Sequence, residues 1–256
     1  MREASVRRTA TDTDSYAFFV QHQMPTRGRP RQESFNMTIA KGRTNCEAER
    51  STIAQGFHEL LKVLKHAKNQ TEVHAKAALY DIANNKSLSD EERCSQMRSF
   101  NEMLSNQEES DIRIRRTILI GLFSFWELSL KDLCEYYKIT IIKAKNIIKE
   151  GKSKKCPNLN DNDYLNAIFP NGRPNNIGLI SSQIKELRHY MTHGSANEDR
   201  QVIIDNLIEA HPDLCISKIC DDYTISSYDG LNKMLQIIND SLMIAEMTAK
   251  TLNVQN

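Results

Sequence analysis

The chain has 256 residues, 39 % hydrophobic and 26 % charged, with a net charge of +1, nine Gly and six Pro. That length holds one sizeable core without requiring a second, and so few Gly and Pro count against an all-β fold built on tight turns. The near-neutral balance excludes an overall field that would attract a polyanion from every side.

Residues 1–45 read as a poorly ordered basic tail, with eight Lys or Arg against four acids. Its only apolar cluster is Tyr16 to Val20, and Met37 is an alternative start. From Cys46 to residue 256 the pattern is that of one helical domain. Ile53, Phe57, Leu60, Leu61 and Leu64 recur at helical spacing, which predicts a first helix. Val73, Ala77, Leu79, Tyr80 and Ile82 suggest a second. Ser89 followed by Asp90, Glu91 and Glu92 is an N-cap with acids in the first turn, opening a third helix through Met97, Phe100 and Leu104. A long helix is expected from about Asp111 to Tyr137. Leu119, Phe123, Trp126, Leu130, Leu133 and Tyr137 form a narrow apolar stripe on it, and Glu127 interrupts the apolar run. A carboxylate there needs a cationic or hydrogen-bonding partner. Ile139 to Ile148 reads as a further helix or a continuation, and Lys152 to Asp163 as a loop. Asp161 or Asp163 is expected to cap a short helix around Tyr164 to Phe169, before a turn at Asn171 to Pro174. A helix from about Asn176 to Thr192, stopped by Gly194, precedes a short helix over Val202 to Ala210. Leu214 to Ile216 and Tyr223 to Ile225 are candidate short strands, and a last helix runs from about Asp229 to Leu252. The fold class is mainly α, with one or two short strands before the final helix.

Charge is unevenly spread. Residues 138–156 carry seven Lys against Glu150 alone. Lys143, Lys145, Lys149, Lys152, Lys154 and Lys155 are either a solvated helix face and loop or a phosphate-contacting surface. Arg27-Gly28-Arg29-Pro30-Arg31 resembles the core of an AT-hook, an arm that inserts Arg into narrow minor grooves; the alternative is a plain basic tail. The six cysteines form no C-x-x-C pair and no zinc spacing. Without an apolar leader or an uninterrupted spanning run, reduced thiols in the cytoplasm are the simplest expectation.

The chemistry concentrates in Ile184 to Gly194. On a helix, Ile180, Ile184, Leu187 and Met191 share the face expected to bury, His189 and His193 point to the opposite face, and Arg188 lies between. This is either a polar outer helix face or a reactive one. An Arg and a His on neighbouring faces can share one phosphate. The guanidinium stabilises charge on the phosphoryl oxygens, and the imidazole suits proton transfer near neutral pH. A ribonucleotide 2′-OH then attacks its own adjacent phosphate with no metal or cofactor. His193 lies near the expected helix C-terminus, where the dipole favours a cation. His189 and His193 are also an i, i+4 pair of the kind that holds zinc, but no Glu follows the first His and no third ligand is evident.

Arg188-x4-His193, preceded by Leu187 and followed by polar His189 and by Gly194, resembles the R-x4-6-H signature of HEPN proteins. The earlier long helix with Phe125, Trp126, Glu127 and Leu130 is similar to the family helix that contributes a buried acid, and the irregular hydrophobic stretch before a last long helix agrees. The specific part is about ten residues; the general likeness covers residues 46–256. The resemblance implies Arg188 and His193 as catalytic, His189 as assisting and Glu127 as an orienting carboxylate. It also implies a homodimer in which two motifs share a cleft, with Lys143 to Lys155 guiding RNA. The expected activity is metal-independent cleavage of tRNA or mRNA, by a toxin or phage-defence effector restrained by an antitoxin or a trigger. The rival expectations are a non-catalytic HEPN-like interaction module and a DNA-associated regulator using the Arg27 to Arg31 arm.

Overall fold

A computed structural model of the chain describes residues 35–141, 159–194, 197–219 and 222–254. It divides into two units, Met1–Gly42 and Arg43–Asn256; apart from the start of the first helix, the elements belong to the second. The protein is mainly α-helical. Helix α1 spans Phe35–Asn84 and α2 spans Asp90–Tyr136. Each therefore joins two helices that periodicity alone separates, and α1 starts well ahead of Cys46. The cause is local: residues 65–72 and 105–110 contain polar residues but neither Gly nor Pro, so nothing interrupts the backbone hydrogen bonding. The expected cap of α2 is present, with Ser89 Oγ accepting from the Glu92 amide and the Glu92 carboxylate accepting from the Ser89 amide.

After α2, Ile139 to Ile141 leave the helix; the rest of the segment read as a helix to Ile148, and Lys143, Lys145, Lys149, Lys152, Lys154 and Lys155, lie outside the described residues. Helix α3 (Asp161–Ile168) is capped by Asn160, boxed with Asp163, rather than by Asp161 or Asp163. Asn160 lies just outside the first turn, where its side chain reaches the Asp163 amide. The expected helix over Asn176 to Thr192 is a composite of α4 (Asn175–Gly178), a π-helical segment (Leu179–Ile184) and α5 (Lys185–His193). Ser182 donates to the Gly178 carbonyl at 2.6 Å, so a side chain takes up a backbone acceptor where the ladder widens. Helix α6 (Glu198–Ala210) follows, then a 3-10 turn (Pro212–Leu214), strands β1 (Ile216–Ile219) and β2 (Asp222–Ile225), and α7 (Tyr228–Val254). β1 starts later than expected because Leu214 belongs to the turn and Cys215 takes a left-handed backbone with φ 51°. The strands pair antiparallel, Ile216 opposite Ile225 and Ile219 opposite Asp222.

The core lies between the second half of α2 and α7, covered by α3, the π segment, α5, α6 and the hairpin. Leu119, Leu122, Phe123, Trp126, Leu130 and Leu133 meet Leu231, Met234, Ile238 and Ala245. Each large apolar side chain so buried contributes about 1.5–3 kcal/mol. α7 begins hard against the 3-10 turn: a Cβ on Gly230 would collide with the Leu214 carbonyl oxygen. The rest of α1 and α2 pair as a two-helix arm. Among the less exposed residues of α1, Phe57, Leu61, Leu64, Lys68, Thr71, Ala75, Ala78 and Ile82 recur at a four–three spacing. Small and polar residues in that seam leave a cavity of about 540 Å³, walled by Leu64, Ala75, Leu79, Leu104 and Ile114. At its base the fully buried Arg115 pairs with Asp111 and, at 2.9 Å, with Glu108, while Lys68 bridges to both acids at 3.1 Å.

Candidate active site

Helix α5 is pinned by Leu187, Tyr190 and Met191, and the π segment before it by Ile180 and Ile184; all five are buried. Four of these are the apolar face expected from the sequence. Tyr190 extends it: its hydroxyl donates to Asp222 at 2.7 Å and its ring meets Tyr223 edge-on at 5.0 Å, which fastens α5 to β2. Gly194, in the left-handed region at φ 69°, donates to the Tyr190 carbonyl at 2.8 Å and ends the helix at His193. A residue with a Cβ would strain that cap.

With α5 so oriented, Arg188 falls at the edge of its contact with α2. Phe123 and Glu127 are one turn apart on α2 and therefore share a face. The Arg188 guanidinium lies 4.9 Å over the Phe123 ring, and its Nη2 donates to Glu127 Oε2 at 3.2 Å. Both side chains are half-buried, 24 % and 32 % exposed, and Arg188 Nε is buried with no hydrogen-bond partner among the described residues. Burial pushes the Glu127 carboxyl above its ordinary range; Arg188 opposes this, Asp161 adds to it and Lys185 opposes it. Asp161 and Lys185 form their own pair at 2.6 Å, with Asp161 almost wholly buried.

His189 and His193 leave this interface for the outer side of α5, as the periodicity predicts. Their rings stack obliquely, centroids 4.5 Å apart at 49°, with His193 exposed and His189 partly so. The imidazole of His189 is held below its usual range, first by partial burial, then by Arg200 and His193, with Glu186 opposing. Arg200, on α6, pairs through Nε with Glu186 Oε2 at 3.0 Å, a distance that makes an ion pair although the groups are not aligned as a hydrogen bond.

The fold thus joins Glu127 to Arg188 and His189 to His193. It does not join Arg188 directly to His193: five positions on one helix set them about 140° apart, and no hydrogen bond or ring contact links them among the described residues. His189, next to Arg188 in the chain, connects the two halves. Sequence reasoning missed Lys185, Glu186 and Arg200, and offered Asp161 only as one of two candidate caps. These are tertiary partners with no local pattern of their own.

Two cavities among the described residues lie away from this arrangement: the arm cavity, and one of about 730 Å³ lined by His58, Asp229, Asn232, Gln236 and Asp240 between α1 and α7. Their shape makes them roomy, but neither brings Arg and His together, so the chemistry favours the α5 surface. Among the described residues no group of three His, Cys, Asp or Glu side chains is placed to hold a metal ion, and none of the helices there is long and apolar enough to cross a membrane. No protein-family model, characterised protein or solved structure matches this chain.

Proposed function

We propose that the protein is a metal-independent endoribonuclease of the HEPN type, acting in the cytoplasm as a toxin or phage-defence effector. The observation that carries this reading is an arginine fixed by Glu127 and Phe123 on the same short helix as a stacked pair of imidazoles. Catalysis is transesterification. A ribose 2′-OH gives up its proton and attacks the adjacent phosphorus. The bond to the 5′ oxygen breaks, and that oxygen takes a proton, leaving a 2′,3′-cyclic phosphate and a 5′-OH. Arg188 neutralises the phosphoryl oxygens as charge builds. His193 transfers protons, and His189, whose imidazole its surroundings hold below the usual range, shares that work or positions the phosphate. Glu127 orients Arg188. The divergence of Arg188 and His193 around α5 suits a homodimer, because a second copy related by a two-fold axis brings its own His193 to the phosphate held by Arg188. The Lys143 to Lys155 segment would guide the tRNA or mRNA, and an antitoxin or similar partner would restrain the activity.

Incubation of the purified protein with total RNA in EDTA tests this. The wild type cleaves, while Arg188→Ala and His193→Ala, folded to the same extent, do not. Equal cleavage by all three proteins, or cleavage that needs added metal, overturns the proposal. A second reading, a non-catalytic interaction module, draws on the same contacts: the Arg188–Glu127 pair and the Phe123 stack also serve simply to tie α5 to α2. That reading predicts that Arg188→Ala lowers stability while no RNA is cut by any form.

A further inference from the structure

Besides Arg188, a second guanidinium stands against α5 from a different helix, paired with Glu186, three residues before His189. Asn197 caps α6, its side chain accepting from the Arg200 amide at 3.1 Å, and this fixes Arg200 in the first turn facing α5. There Nε is engaged by the Glu186 carboxylate at 3.0 Å, no other carboxylate among the described residues pairs with the guanidinium, and the side chain remains 37 % exposed. Arg200 and Arg188 both lie within electrostatic reach of His189, on an otherwise solvent-facing surface that includes the exposed His193. Each arginine is braced by its own acid, Glu127 for Arg188 and Glu186 for Arg200. A guanidinium held by a carboxylate on one nitrogen keeps further N–H donors for the oxygens of a phosphate. Two such groups on separate helices, each held by its own acid next to the same turn of α5, make more than a single-phosphate site.

We infer that Arg200 is a second phosphate-binding side chain of this surface, so that the substrate is engaged through at least two phosphates of a ribonucleotide chain rather than as a mononucleotide. This rests on the ribonuclease reading of the same site and adds to it a residue and a minimum substrate length. Arg188 holds the phosphate that reacts, and Arg200 holds a neighbouring one and sets the register of the strand. The Glu186 carboxylate aims Arg200 and touches no substrate.

The test is binding of a single-stranded 2′-O-methyl oligoribonucleotide, which lacks the attacking hydroxyl, compared with a nucleoside monophosphate, across a salt series. Loss of one phosphate contact lowers the slope of log affinity against log salt by about 0.7 for a single strand. Arg200→Ala is expected to show that drop and to weaken the oligonucleotide several-fold, while leaving the monophosphate unchanged. Arg200→Lys should keep most of the slope, and Glu186→Gln, which loosens the same helix contact without removing the cation, should keep it too. An unchanged slope in Arg200→Ala, or an equal loss in Glu186→Gln, overturns the assignment. Cleavage of unmodified RNA separates the two claims. A wild type that binds the oligonucleotide with the Arg200-dependent slope but cuts nothing retains the second phosphate site and loses the nuclease. A wild type that cuts RNA while Arg200→Ala binds and cuts as before retains the nuclease and loses the second site.

Discussion

The two halves of α2 belong to one unbroken helix but do different work. Residues 115–134 present Leu119, Leu122, Phe123, Trp126, Leu130 and Leu133, all fully or almost fully buried, and against that half rest α5, α3 and α7. Residues 90–110 face α1 across a seam of Ala75, Ala78, Thr71 and Lys68, and the helices there enclose space rather than packing. Identical local geometry therefore gives a rigid platform at one end and a loose arm at the other, according to side-chain volume in the shared face. The candidate site stands on the platform. Phe123 and Glu127 belong to the same stretch of helix as the core residues, so Arg188 inherits their order. A reactive group placed on the arm would have no such support.

The largest effect expected from that contrast is catalytic. Arg188→Ala should reduce RNA cleavage by about a hundred- to a thousand-fold, as loss of one preorganised charge donor does, measured as single-turnover rates with the fold checked by circular dichroism. Truncations come next. Leu122→Ala, in the platform, should cost about 2–5 kcal/mol in denaturant unfolding, whereas Leu104→Ala, in the half-open seam, should cost about 1 kcal/mol or less because little apolar area is lost. Equal costs would show that the arm is packed as tightly as the core. Ala75→Leu probes the arm from the other side. Filling the cavity should stabilise by about 0.5–2 kcal/mol, and a loss of stability would mean that the seam has no room.

The smallest effect is a pH dependence. Folding holds the His189 imidazole below its ordinary 6.5, so between its folded value and 6.5 the unfolded chain binds more protons and stability falls as pH drops through that window. His189→Asn should flatten this slope. By nuclear magnetic resonance the His189 ring should titrate below 6.5 and move upward in Arg200→Ala, because Arg200 is one of the groups that depress it. No movement would separate Arg200 from the site.

Much of this was legible in the residues, and the gaps have physical causes. Periodicity reports which face of a helix is buried, so the phasing of Ile184, Leu187 and Met191, and with it the outward turn of His189 and His193, followed from spacing alone. The stop at Gly194 followed from backbone geometry. Continuity is a different property: the polar seams near residues 65–72 and 105–110 lack apolar signal yet contain nothing that breaks a helix, so two long helices looked like four. The π segment had no sequence signature; the Ser181 and Ser182 hydroxyls that donate to the Gly178 carbonyl at its start are contacts that spacing does not report. The need of Glu127 for a partner was evident from its apolar neighbours, and Arg188 meets that need. Arg200 had no comparable hint, since its role depends on how α6 folds back on α5.

The central claim is most directly examined at the ribose itself. An RNA whose cut site has been mapped is resynthesised with a single 2′-deoxy sugar on the 5′ side of the scissile phosphate. If that hydroxyl is the nucleophile, cleavage at the position disappears while neighbouring sites persist; continued cutting there at the original rate would contradict the mechanism.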